Sequence, residues 1–298
     1  MSTGQIHDLG YKRYAGSRRS VATRWRVIMR HQIAMAWKTW WRFKAWLILA
    51  VLATGITIAL LYAFSTSVFR IFAGLAGERP QFVAVLLPLS LFWYCNIAFF
   101  ASLFVAVPAV AGDLQSGAFT FYFARSLRPR DYVIGKLAGI AAMLSLIILA
   151  GPLALAIARL GLSDNLDQVI ALLPTLPRAL AIGALGTLIY TAVPLGFSAV
   201  VARRGHAIAL WVGYYVVFGA MVNALGRASS PLVASLDLAE SLRTVALELY
   251  DLHMAGRRDL DIPVSAAVIS ILGQAAIAIG LVVWRVRRAQ QTGVGGAS

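Results

Sequence analysis

Residues 111–139 read AGDLQSGAFTFYFARSLRPRDYVIGKLAG. This is a polar, strongly basic interruption between two long apolar runs, with Arg125, Arg128, Arg130 and Lys136 set against Asp113 and Asp131. Gly112 and Gly117 are placed to break the helix that enters it, and Pro129 suits the first position of a new helix, where its missing N–H is an orphan anyway. Asp131 then falls in that helix's first turn, where the dipole favours a carboxylate. Between the breaks, residues 118–125 place Phe119, Tyr122 and Phe123 on one helical face. The expected order is a membrane helix that stops, a short aromatic helix across the surface, and a second membrane helix that starts.

Composition supports a membrane setting. Of 298 residues, 60% are hydrophobic and only 13% charged, outside the range of soluble domains. Six apolar stretches have the roughly twenty residues a bilayer demands: 45–64, 82–110, 137–158, 179–201, 207–225 and 264–284. Pro88 and Pro108 are expected to bend or end the second, and Pro152 and Pro194 to interrupt the third and fourth. No internal repeat is evident, which argues against an inverted-repeat carrier.

The net charge of +15 suggests nucleic acid until the charges are placed. With the N-terminus inside, the inner segments hold 19 Lys and Arg and the outer ones 8, while acidic residues divide three to nine the other way. That is the positive-inside pattern, so the basic excess faces anionic headgroups and no nucleic acid is needed. The expectation is a multi-pass protein of the inner (cytoplasmic) membrane with both termini cytoplasmic.

Residues 1–20 read as a polar, poorly ordered tail. Its Ser17-Arg18-Arg19-Ser20 run resembles a twin-arginine export signal, but the apolar segment begins only at Ala45. Residues 21–44 are amphipathic. Val21, Trp25, Ile28, Met29, Ile33, Ala36 and Trp40 fall on one side, and Arg24, Arg26, Arg30, His31, Lys38 and Arg42 on the other. With Trp25, Trp37, Trp40, Trp41 and Trp46 here, five of the eight tryptophans, the segment reads as an interfacial anchor helix. The domain plan is therefore tail, interfacial helix, a six-span region over 45–285, and a cytoplasmic tail over 286–298. The longest outer segment, 226–263, carries Leu238, Leu242, Val245, Leu249 and Leu252 at helical spacing, a stripe for packing on the chain's own helices or a second copy before the outer leaflet.

The spans carry no ionisable residue near their middles; Asn96, Asn223 and Gln274 are the strongest polar candidates, for interhelical bonding before any cargo pathway. The lone Cys95 and four scattered histidines offer no metal site. The sequence has no phosphate loop, H-E-x-x-H zinc site or serine–base pair, so no catalytic residue, cofactor or metal site is expected in it.

The 111–139 segment resembles the first cytoplasmic loop of permease subunits in the ABC-2 family of ABC transporters. In that pattern an acidic residue ends the second span, a Gly-Thr pair opens a short apolar helix, a Pro follows, and then come a basic–acidic cluster and Gly-Lys. Asp113, Gly117, Arg130, Asp131, Gly135 and Lys136 match in type and order. Ala118 stands where Thr is usual, and Ser126 where Pro is usual. The resemblance implies an all-α membrane protein with an elbow helix (Trp25, Arg26, Arg30, Trp37, Trp40) and a coupling helix. Asp113, Gly117, Ala118, Phe119, Tyr122, Phe123, Arg125, Arg128, Arg130, Asp131 and Lys136 would contact an ATPase. It also implies ATP and Mg bound by separate ATPase subunits and a second permease copy or related chain as partner. Three classes stay open: an exporter subunit, a membrane module transmitting force to an outer partner, and an unrelated six-helix scaffold or lipid-active enzyme.

Overall fold

A computed structural model describes residues 23–65, 79–124, 127–252 and 261–291. The expected N-terminal tail, Arg125 and residues 292–298 lie outside the described residues. All the regular elements described are helical, and six helical stretches are long and apolar enough to cross a membrane. The protein is a multi-pass, all-α membrane protein.

Helix α1 (Trp25–Lys38) is followed by a 3-10 turn, Trp40–Arg42, and by α2 (Lys44–Ser65), the first span. The second span joins α3 (Arg79–Val105) to α4 (Pro108–Gln115). Short α5 (Ala118–Ala124) leads to the third, α6 (Pro129–Ile148) with α7 (Ala150–Gly161). After α8 (Leu166–Leu172), α9 (Thr175–Val200) is the core of the fourth. The fifth runs through α10 (Arg204–Val212), a π-helical segment Gly213–Phe218 and α11 (Gly219–Ala228). Short α12 (Pro231–Ala234) and α13 (Leu238–Leu249) precede α14 (Val264–Gln291), the sixth. Helix α14 continues past the expected 284 through Arg285, Arg287 and Arg288.

The prolines act in two ways. Helix α3 ends before Pro108, which takes the first position of α4, and α6 ends at Ile148, ahead of Pro152. Pro88 and Pro194 instead stay inside α3 and α9, so neither ends its helix, and the fourth span is not interrupted at Pro194 as expected. Packing against neighbouring helices allows this in lipid, where a single lost ladder bond does not end a helix.

The centre of the bundle is α9, packed most extensively along α14 and also against α6, α7 and α4. Ile189, Tyr190, Ala192 and Leu195 are fully buried there. By contrast, the first and fifth spans bury few of their residues and expose Val51, Leu52, Ile56, Val216, Val217 and Met221. Helix α13 folds back onto α14, α9 and α3, burying Leu238, Leu242, Val245 and Ala246. The expected stripe packs on the chain itself.

The N-terminus of α13 is held by Asp237, whose carboxylate accepts from Ala239 N at 2.7 Å, Glu240 N at 3.0 Å and Asn223 Nδ2 at 2.8 Å. Burial nevertheless raises this carboxyl above the usual range, outweighing the three hydrogen bonds. The Asn223 Oδ1 beside it is buried without a partner among the described residues. Asp237→Asn is expected to keep the cap, supply a donor for that oxygen, and match or exceed the parent in thermal unfolding in detergent. Asp237→Ala is expected to lose about 1 kcal/mol with the cap.

Candidate functional site: a short helix on a buried polar platform

At the α1 end of the bundle the chain leaves α4 through Gly117, whose φ of +67° lies in the left-handed region. A Cβ there would meet nothing within 4 Å, so the requirement is on the backbone and not on space. Gly117→Ala is expected to cost about 1–2 kcal/mol and to loosen the entry to α5, read as faster proteolysis at 117.

Helix α5 turns its aromatic face inward. Phe119 is 3% exposed, with its ring 5.1 Å from Tyr132 and stacked 5.6 Å from Phe123. Tyr122 lies 5.6 Å from the same Tyr132 ring. Burial, aided by the nearby Asp113 carboxylate, pushes the Tyr122 phenol up to about 12, so it stays neutral. The face that the resemblance assigns to an ATPase contact is thus turned largely onto the chain itself: Phe119 is buried, and Tyr122 and Phe123 are half-buried. The reason is Tyr132, which rises from the first turn of α6 directly beneath them. The large side chain that α5 leaves outward is Phe121, 74% exposed.

Beneath α5 lies a compact polar cluster. Asp113 accepts a hydrogen bond from Tyr132 at 2.7 Å and pairs with Lys136 Nζ at 2.8 Å. Lys136 is 3% exposed and also donates to Gln32 Oε1 at 3.0 Å, while Gln32 Nε2 donates to Val105 O at 3.0 Å. That carbonyl lacks its helical donor because Ala109 N bonds to Ala106 O in the break before α4. Ser198 of α9 completes the repair, its hydroxyl accepting from Val110 N at 3.0 Å and Ala111 N at 2.8 Å. The proline break is thus stitched to α1, α6 and α9 by side chains.

Helix α1 reaches this cluster because α6 presents Gly135 and Gly139. A Cβ on Gly135 would stand 2.6 Å from Ile28 Cβ and 2.7 Å from Trp25 O. One on Gly139 would stand 3.0 Å from Gln32 Cβ. The packed face of α1 is Ile28, Gln32 and Ala36, a polar residue among apolar ones. Trp37 and Trp40 are exposed, as are Arg26 and Arg30. The residues missed from sequence are Gln32, Tyr132, Gly139 and Ser198. The G-x-x-x-G spacing of Gly135 and Gly139 was the available signal for close helix approach; nothing in the sequence marked Ser198.

The remaining expected residues divide. Asp131 caps α6, accepting from Arg128 N at 3.4 Å, and Arg130 beside it is two-thirds exposed. Among the described residues Asn96 bonds only back to Phe92 O on its own helix, at 2.7 Å. Asn223 and Gln274 do bond across elements, the first to Asp237 and the second to Tyr214, on the π segment, and to Leu236 O. These two sit toward the α13 end, away from the cluster under α5. Among the described residues no group of His, Cys, Asp and Glu could hold a metal.

Compared with known proteins, the chain matches no family model and no curated relative.

Proposed function

We propose that this chain is the membrane subunit of an ATP-driven exporter of the ABC-2 type, with ATP bound and hydrolysed in separate partner subunits. The observation that carries the reading is the placement of α5. A short helix that transmits force between a soluble motor and membrane helices has to be held rigidly to those helices and still offer an unsatisfied contact. Helix α5 is fixed through Phe119 to Tyr132, and through Tyr132 to the Asp113–Lys136–Gln32 cluster, which links the second span, the third span and α1. Phe121 points away from all of these. An element held by both spans it must move is what mechanical coupling between two sites requires.

In this reading the α1 end is cytoplasmic, as the basic excess implies. The working unit holds two permease chains, for which the exposed apolar faces of the first and fifth spans supply contact surface. The cargo is an amphipathic or apolar molecule, since the spans present no charge near their middles with which to pair an ion.

The test is co-expression with a candidate ABC ATPase subunit. Phe121→Ala removes an aromatic anchor of the kind that typically contributes 2 kcal/mol or more at an interface. It is expected to leave membrane insertion unchanged and to cut ATPase co-purification by roughly thirtyfold. Arg227→Ala, on α11, is the control and is expected to change neither. Full ATPase recovery with Phe121→Ala would remove α5 from the coupling role.

A further inference from the structure

A cavity of about 250 Å³ opens between α1, the 3-10 turn, and the α1-side ends of the second and fifth spans. Its inner wall is the Lys136–Asp113 pair, whose charges cancel. Its remaining polar walls are Gln32, whose amide is engaged by Lys136 and Val105 O, and the cationic or proton-donating Arg42, Arg204 and His31. Among the described residues none of the last three has an acidic partner. Arg204 lies flat on α4, its Nε only 2.8 Å from where a Cβ on Gly112 would be, so the missing side chain at Gly112 makes room for the guanidinium. Arg42 donates to Met35 O at 3.4 Å, which leaves most of its donors for another acceptor.

The rest of the lining is apolar and partly open to the outside. Met35, Phe104 and Ile208 are 40%, 43% and 39% exposed. Trp40 and Trp41, immediately before Arg42, are 54% and 71% exposed, and exposed tryptophans mark the headgroup level of a bilayer. A site with two guanidinium groups lacking an acidic partner among the described residues, Arg42 half-buried and Arg204 exposed, beside partly exposed apolar side chains at headgroup depth, suits one ligand chemistry. The ligand is a phosphate attached to acyl chains.

We infer that this cavity binds the headgroup of an anionic phospholipid from the adjoining leaflet. Arg42 and Arg204 hold the phosphate with charge-assisted hydrogen bonds, His31 adds a donor, and the acyl chains leave past Met35, Phe104 and Ile208. The lipid would tie α1 to the ends of the second and fifth spans. This inference rests on the membrane-spanning fold alone and is independent of any ATPase partner.

The experiment is native mass spectrometry of the full chain released from detergent, titrated with phosphatidylglycerol, phosphatidylcholine or inorganic phosphate. The parent is expected to retain phosphatidylglycerol in clear preference to phosphatidylcholine. Arg42→Ala with Arg204→Ala is expected to weaken that retention roughly tenfold or more, since each basic group near an anionic headgroup contributes substantially. Arg130→Ala with Arg287→Ala removes the same charge from exposed positions and is expected to leave retention unchanged. Met35→Trp fills the cavity without altering charge and is expected to weaken retention as well, which keeps the test decisive if the double arginine variant does not fold. Equal losses in both double variants, undiminished retention in Met35→Trp, or equal retention of phosphatidylcholine would overturn the site. Competition by inorganic phosphate as strong as by the lipid would make it a free-anion site and overturn the lipid assignment.

Discussion

Lys136→Met is expected to be among the most damaging single substitutions in this protein. The change leaves the Asp113 carboxylate without its cation and Gln32 Oε1 without its donor, in a place where Lys136 is almost wholly excluded from solvent. Breaking a buried pair from one side costs about 3–5 kcal/mol, and the Tyr132 hydroxyl that still donates to Asp113 argues for the lower end. Asp113→Asn alone is expected to cost less, because an amide oxygen can still accept from Tyr132. The double variant, Asp113→Asn with Lys136→Met, is expected to recover much of the loss, since no uncompensated charge remains. A double-mutant cycle on unfolding in detergent measures this directly. Additive losses would mean that the pair does not act as a unit.

Gly135→Val is expected to have the second large effect, through α1. The new Cβ would collide with Ile28 Cβ at 2.6 Å and with the backbone oxygen of Trp25 at 2.7 Å, and a backbone atom cannot rotate away. Helix α1 must shift off α6, which costs about 1–3 kcal/mol for the overpacking. It also pulls Gln32 from both Lys136 and Val105 O. Gly273→Ala on α14 is the contrast: nothing lies within 4 Å of its added carbon, and a helical Gly replaced by Ala gains about 0.5–1 kcal/mol. Thermal unfolding of the two variants should therefore move in opposite directions. Destabilisation of both to the same degree would show that the close contact of α1 with α6 contributes nothing of its own.

Much of the fold was legible because lipid imposes a simple code. Runs of twenty apolar residues, the break at Pro108, the helix start at Pro129, and the amphipathic stripe of α13 all follow from local sequence and appear as expected. The neighbourhood of Asp113 was legible in part: its partner is basic and lies at the same end of the bundle. What local reading could not supply is which neighbour a face meets. Phe119, Tyr122 and Phe123 share a face on any helical projection, but only the position of Tyr132, thirteen residues beyond Phe119, decides that this face turns inward. Gln32 sits among apolar residues on α1 and looks misplaced until the unbonded carbonyl of Val105, 73 residues away, is set beside it. Ser198 is the same case, a hydroxyl in an apolar span whose use is fixed by a helix break elsewhere. Pro194 looked like an interruption because proline removes a ladder bond, yet α9 runs through it, as α3 runs through Pro88.

If α5 is, as proposed, the surface on which a separate ATPase acts, site-directed cross-linking detects the contact directly. The one native cysteine, Cys95, is buried, so Cys95→Ala provides a background for single cysteines. In membranes where a candidate ABC ATPase subunit is co-expressed, Phe121→Cys is expected to cross-link to that ATPase in high yield. Leu232→Cys, on exposed α12, is expected to give no cross-link. Failure of Phe121→Cys to cross-link while the ATPase is present, or cross-linking at Leu232→Cys instead, would contradict the account.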